Sequence, residues 1–220
     1  MTLFRLDASI RVEGSVSREV ADTLQSGWLA EHPGTEVVHR DLRTDPVQAG
    51  VWAAAALGSF APEEARTPEQ RAAVALAGEL ADELVEATAV VIATPLYNFG
   101  IAQHLKAWID LLLIDPRFSP GALPLAGKPV AIVIARGGGY GAGTPREGWD
   151  HATPYLVRIF ADVLGGDVTV VAAELTLADV NPAMAELRGL AAESRAQAHT
   201  DADRTGREFA KLVLEANSAA

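Results

Sequence analysis

Short apolar runs alternate along this chain with stretches whose apolar positions recur every three or four residues. Leu3-Phe4-Arg5-Leu6 reads as a first strand. A polar turn over residues 9–17 follows. Val20, Leu24 and Trp28 then share one helical face, which Pro33-Gly34 ends. Glu36-Val37-Val38-His39-Arg40 alternates weakly as a second strand. Residues 43–66 are irregular, Ala-rich between Trp52 and Leu57, with room for one short helix. Thr67-Pro68-Glu69-Gln70 marks a helix start: Thr as N-cap, Pro at the first helical position, Gln three residues after the cap. Ala73, Leu76, Ala77, Leu80 and Leu84 supply its apolar stripe.

Two later runs, Ala89-Val90-Val91-Ile92-Ala93 and Val130-Ala131-Ile132-Val133-Ile134, do not alternate at all. That pattern suits strands buried on both faces of a parallel sheet. Between them Ile101, Leu105, Trp108, Ile109 and Leu112 keep helical spacing. A glycine-rich loop, a helix around Pro154 to Leu164 and a fifth strand at Val168-Thr169-Val170-Val171 follow. From Asn181-Pro182 the chain reads as helical over about 181–217, with room for a break near His199-Thr200-Asp201. Five strands alternating with helices predict an α/β fold: a doubly wound, five-stranded parallel sheet with helices on both faces. No linker or repeat divides it, so residues 1–220 read as a single domain. In such sheets ligands bind outside the carboxyl ends of the strands, where the strand order reverses. The loops after strands one, three and four therefore carry the expected chemistry.

Composition narrows that chemistry. The net charge of −11 repels nucleic-acid phosphates and anionic membranes, so neither is an expected partner. The absence of cysteine removes disulfides, thiolate metal sites and thiol nucleophiles. The five histidines, His32, His39, His104, His151 and His199, lack metal-ligand spacing, so no metal site is expected. The first residues do not form a signal peptide and no run is long enough to span a membrane, which makes the cytoplasm the expected location. Asp150-His151 hints at a hydrolase pair, but no G-x-S-x-G elbow accompanies it.

The loop after strand one holds Ser9, Ser15 and Ser17, with Arg18 close by, and opens a helix. Unpaired N–H groups and hydroxyls at a helix start suit a phosphate, although Ser17 capping the helix in a solvated loop explains the same residues. The loop after strand three, Thr94-Pro95-Leu96-Tyr97-Asn98-Phe99-Gly100, sets two aromatics around an amide, fit for a flat ring or for the core. The loop after strand four, Ala135-Arg136-Gly137-Gly138-Gly139-Tyr140, lets backbone N–H groups approach a ligand, or is a mobile surface loop. No Walker A motif or strand-one G-x-G-x-x-G is present.

Read together, these segments resemble the FMN-dependent NADH:quinone oxidoreductases and azoreductases of flavodoxin-like fold. Pro95-Leu96-Tyr97-Asn98-Phe99-Gly100-Ile101 with Leu105, Lys106 and Asp110 is similar to that family's P-M-Y-N-F-x-[IV]-x-x-x-L-K-x-x-x-D segment. Arg136-Gly137-Gly138 resembles its S-R-G-G loop with Ala135 in place of Ser, and Thr153-Pro154-Tyr155-Leu156 its T-P-Y-L segment. Tyr140 stands where many members have His, and residues 111–126 are shorter than usual. The resemblance implies strand order 2-1-3-4-5, bound FMN, NADH or NADPH as donor, a small quinone, azo or aromatic acceptor, ping-pong hydride transfer and a homodimer. By the same resemblance Ser9, Ser15 and Ser17 hold the FMN phosphate. Pro95, Leu96, Tyr97, Asn98 and Phe99 line the isoalloxazine, and Ala135, Arg136, Gly137 and Gly138 approach its pyrimidine edge. Tyr140 is the one candidate catalytic side chain, as a hydrogen-bond donor. Alternatives of the same fold are a one-electron FMN carrier, a tailoring reductase acting on one polyaromatic metabolite, and an interaction module without FMN.

Overall fold

The two uninterrupted apolar runs form the middle of a sheet, where neither face meets water. In the computed structural model, which describes residues 1–119 and 121–219, β3 (Ala89–Pro95) and β4 (Pro129–Ala135) are buried at every position. With β1 (Thr2–Asp7), β2 (Glu36–Asp41) and β5 (Asp167–Ala173) they build one parallel sheet in the order β2-β1-β3-β4-β5. The two edge strands are half exposed, which is why their sequence patterns are weaker.

Successive side chains of the central strands enter two cores, as the period of two requires. Phe4, Leu6, Val90, Ile92, Val130 and Ile132 pack on one face against α2 (Val51–Phe60), α3 (Pro68–Glu86), α4 (Gln103–Leu112) and the helix that starts with α5 (Thr153–Val157). Leu3, Val91, Ala93, Ala131 and Val133 pack on the other against α1 (Val16–Glu31) and α6 (Arg188–Ala219). α6 is continuous through His199-Thr200-Asp201, so the expected break does not occur. His199 instead shares a hydrogen bond of 2.7 Å with the Thr23 hydroxyl. Small residues let α1 and α6 touch backbone to backbone: a Cβ on Gly27 would lie 2.6 Å from the Asp203 carbonyl oxygen.

The irregular stretch 43–66 contains α2 and a 3-10 turn at Glu63–Ala65. α2 leaves Trp52, Leu57 and Phe60 exposed, Phe60 by 88%. Trp108 and Phe118 are fully buried, so neither offers a contact surface. The α3 capping box is present in both directions, Gln70 N–H to Thr67 Oγ1 at 3.2 Å and Thr67 N–H to Gln70 Oε1 at 2.9 Å.

Strand order reverses between β1 and β3, and a buried charge cluster braces the ligand end of β1. Asp7 accepts from Arg5 at 3.0 Å, Arg18 at 3.2 Å and His39 at 2.8 Å. Burial by itself would raise its pKa, but the His39 and Arg5 hydrogen bonds and the Arg5 and Arg18 charges outweigh that and hold it below 3.8. A lowered folded pKa gives stability that is present above the unfolded value and lost as pH falls through the folded one. Asp7→Asn should therefore destabilise the protein by about 3 kcal/mol at pH 7, and the difference should shrink as the pH is taken below 3.8. Urea unfolding of both proteins at pH 7 and pH 3 checks this; an equal difference at both would refute it.

Candidate active-site cleft

The end of β1 turns through Gly14 (φ 65°) into α1, whose N-cap is Ser15. The Ser15 side chain makes no capping hydrogen bond and lies 3.4 Å from the Ser17 hydroxyl. Ser9, Ser15 and Ser17 are all buried, yet all line one open cleft of about 440 Å3. The first N–H groups of a helix have no partner inside it. Here no side chain of a described residue accepts from them either. Arg18 does not reach the cleft. It clamps the loop instead, donating to Ser9 O and Arg11 O at 2.9 Å each and to Asp41 at 2.7 Å.

At the end of β3 the chain reverses in a two-residue hairpin. Tyr97 and Gly100 exchange backbone hydrogen bonds of 3.1 and 2.9 Å. Asn98 and Phe99 both have positive φ, 48° and 65°, as a type I′ turn requires. Such a backbone is strained for Phe and persists only where its surroundings hold it. The Phe99 carbonyl accepts from His151 N–H at 2.9 Å, and its ring meets Trp149 edge-on at 5.5 Å and Tyr140 at 6.5 Å. Pro95, Leu96, Tyr97, Asn98 and Phe99 all line the cleft.

The loop after β4 closes the third side. The carbonyls of Arg136, Gly137 and Gly138 accept from Thr176, Leu177 and Leu175 at 3.0 to 3.2 Å. The N–H groups of Gly137 and Gly138 have no acceptor among the described residues, and both glycines, with Ala135 and Tyr140, line the cleft. A Cβ at Gly137 would meet Leu177 Cδ1 at 2.7 Å, so packing against Leu177 favours glycine there as well. Thus three loops bring unpaired donors and an aromatic wall to one volume, which lies within the roughly 300–1,000 Å3 usual for small-molecule sites.

The flavodoxin-like fold family matches residues 1–199. An FMN-dependent NADH:quinone oxidoreductase from Streptomyces avermitilis is 40% identical over 211 residues, 95% of this chain and 97% of that one. This chain belongs to that family. A second relative of the same name, from Streptomyces coelicolor, is 36% identical over 220 residues, 98% of each chain. Among solved structures, an azoreductase from Bacillus anthracis superposes with a TM-score of 0.77 at 23% identity, covering 95% of this chain and all of that one. The order β2-β1-β3-β4-β5 found here is the one that the flavodoxin-like resemblance implies.

Of the residues expected from the family resemblance, one lies elsewhere. Arg136 turns away from the cleft into a half-buried cluster with Asp150 and Glu174, at 2.9 Å each. Family motifs also do not mark Arg11, Arg146 and Leu177, which line the cleft, or Trp149 behind Phe99. They sit in polar or irregular segments where no periodicity announces them. Among the described residues no three His, Asp or Glu side chains converge as a metal site would, and no helix is long and apolar enough to cross a membrane.

Proposed function

We propose that the chain is an FMN-dependent oxidoreductase passing two electrons from NADH or NADPH to a quinone, azo or other flat aromatic acceptor. The observation that carries this reading is the set of unpaired donors at two places in one cleft, with the aromatic hairpin beside them. Its relatives at 36–40% identity, FMN-dependent NADH:quinone oxidoreductases, support cofactor, donor and acceptor class.

In this reading the start of α1, with Ser9, Ser15 and Ser17, seats the phosphate, where the helix's partial positive charge adds to the hydrogen bonds. Pro95, Leu96, Tyr97, Asn98 and Phe99 flank the isoalloxazine, Asn98 through its amide. The Gly137 and Gly138 N–H groups meet the pyrimidine edge and favour negative charge there. Ala135 leaves space beside them, Arg136 holds their loop from behind, and Tyr140 donates a hydrogen bond to cofactor or acceptor. FMN, when bound, supplies the redox chemistry, accepting hydride from the nicotinamide and returning it to the acceptor. One open cleft serves donor and acceptor in turn, which gives a ping-pong order. The whole chain acts as one FMN-binding domain in the cytoplasm. The exposed Trp52, Leu57 and Phe60 of α2 favour a homodimer.

The test is a visible spectrum of the FMN-loaded protein without oxygen. Bleaching by NADH or NADPH and recovery with a quinone, with no semiquinone band, is the expected result. Loss of FMN on desalting would refute the reading. Bound FMN that ignores both nicotinamides would refute the reductase and leave a one-electron carrier. Sedimentation of the same preparation as a 23.1 kDa monomer would remove the dimer.

A further inference from the structure

The chain carries 29 acidic residues against 18 Lys and Arg, yet among the described residues no carboxylate lines the cleft. Two arginines do, Arg11 and Arg146. Neither has a carboxylate partner among the described residues. Arg11 belongs to the serine loop. Arg146 stands apart from it, over the aromatic hairpin: its guanidinium carbon is 5.8 Å from the Phe99 ring centroid and its Nη1 3.5 Å from the Tyr140 hydroxyl.

The nearby carboxylates are engaged elsewhere. Glu147 accepts from Gly143 N–H at 2.8 Å, and Glu174 is held by Arg136 and the Tyr140 N–H. A guanidinium over an aromatic face keeps N–H donors for a ligand, here those that Arg146 does not give to the Tyr140 hydroxyl. Phe99 is held in a strained backbone by Trp149, Tyr140 and the His151 N–H, which sets the place of its ring.

We propose that Arg146 is a specificity-determining residue that binds an oxyanion, a carboxylate, sulfonate or phosphate, carried by one of the flat aromatic reactants. This rests on the reductase reading and names the substrate class that the same cleft selects. Guanidinium binds such groups through two parallel N–H donors, and a planar ring beside it takes the aromatic body of the same molecule. The oxyanion has two sources, an acidic substituent on the acceptor or a phosphate of the nicotinamide dinucleotide. Both use the same chemistry.

The experiment uses the FMN-loaded protein and its Arg146→Gln and Arg146→Lys variants. Calorimetric titration with naphthalene-2-sulfonate, which cannot be reduced here, reads binding apart from turnover, with naphthalene-2-sulfonamide as the neutral comparison. Wild type should prefer the sulfonate, and Arg146→Gln should lose roughly 10–100-fold of that preference, with Arg146→Lys between them. In turnover, the ratio of kcat/KM for a carboxylated azo dye to that for its methyl ester should fall by a similar factor in Arg146→Gln. A fall confined instead to the KM for NADH or NADPH supports the dinucleotide as the source. An unchanged sulfonate preference together with unchanged acceptor ratio and nicotinamide KM overturns the proposal, as does equal weakening of charged and neutral ligands. Failure of wild type to turn over a neutral quinone would instead overturn the reductase reading. Arg146 is exposed and makes no ion pair among the described residues, so both variants should fold, and a melting curve confirms it.

Discussion

Arg136→Met will lower the unfolding free energy by about 2–3 kcal/mol, because it leaves two half-buried carboxylates without their counter-charge. The Arg136 side chain is 14% exposed, Asp150 12% and Glu174 22%. Each carboxylate also organises backbone. Asp150 accepts from the Ala152 and Thr153 N–H groups at 2.9 Å, starting α5, and Glu174 accepts from Tyr140 N–H at 3.2 Å. Arg136 further donates to the Thr153 hydroxyl at 2.9 Å. One guanidinium thus ties the ends of β4 and β5 to the start of α5. Met fills the volume but restores none of this. A triple variant, Arg136→Met with Asp150→Asn and Glu174→Gln, should recover a good part of the loss, since replacing a whole desolvated ionic set costs less than breaking it. Urea denaturation at pH 7 measures both. If the single variant loses under about 1 kcal/mol, or the triple is no more stable than the single, the cluster does not brace these strand ends.

The same cluster shows where the sequence was legible and where it was not. Burial on two faces is written into an unbroken apolar run, so β3 and β4 were readable at once. The start of α3 was readable because a capping box needs fixed residues at fixed spacing. α2 was hard to read because it is Ala-rich with no polar face to set a period, and its exposed Trp52 and Phe60 resemble core residues in sequence. The break expected in α6 came from His199-Thr200-Asp201, polar residues that are weak helix formers; packing on α1 overrides that preference. At the cleft, motif resemblance pointed to the serines, the hairpin and the glycines. It could not show that Arg136 faces away, since the partners, Asp150 and Glu174, lie 14 and 38 positions further along. Nor could it show the positive φ of Phe99, a conformation its residue type disfavours.

Ser15→Asp separates the phosphate seat from the fold that makes it. Asp is as good an N-cap as Ser, and a carboxylate at a helix start gains from the helix's partial positive charge. The free protein should therefore melt at the same temperature as wild type or slightly above it. The carboxylate, however, occupies the place proposed for the cofactor phosphate, where Ser15 is buried and lies 3.4 Å from Ser17. Like charges forced together in a binding site cost several kcal/mol. With each 1.4 kcal/mol worth a factor of ten, FMN affinity should fall about 100- to 1,000-fold. Riboflavin, which has no phosphate, should bind the variant and wild type with affinities within about threefold, because the ring contacts are untouched. Fluorescence titration with both flavins reads the two numbers side by side. Loss of FMN with retained riboflavin places the phosphate at the start of α1. Equal loss of both flavins would mean that the loop has been distorted, and unchanged FMN binding would move the phosphate elsewhere in the cleft.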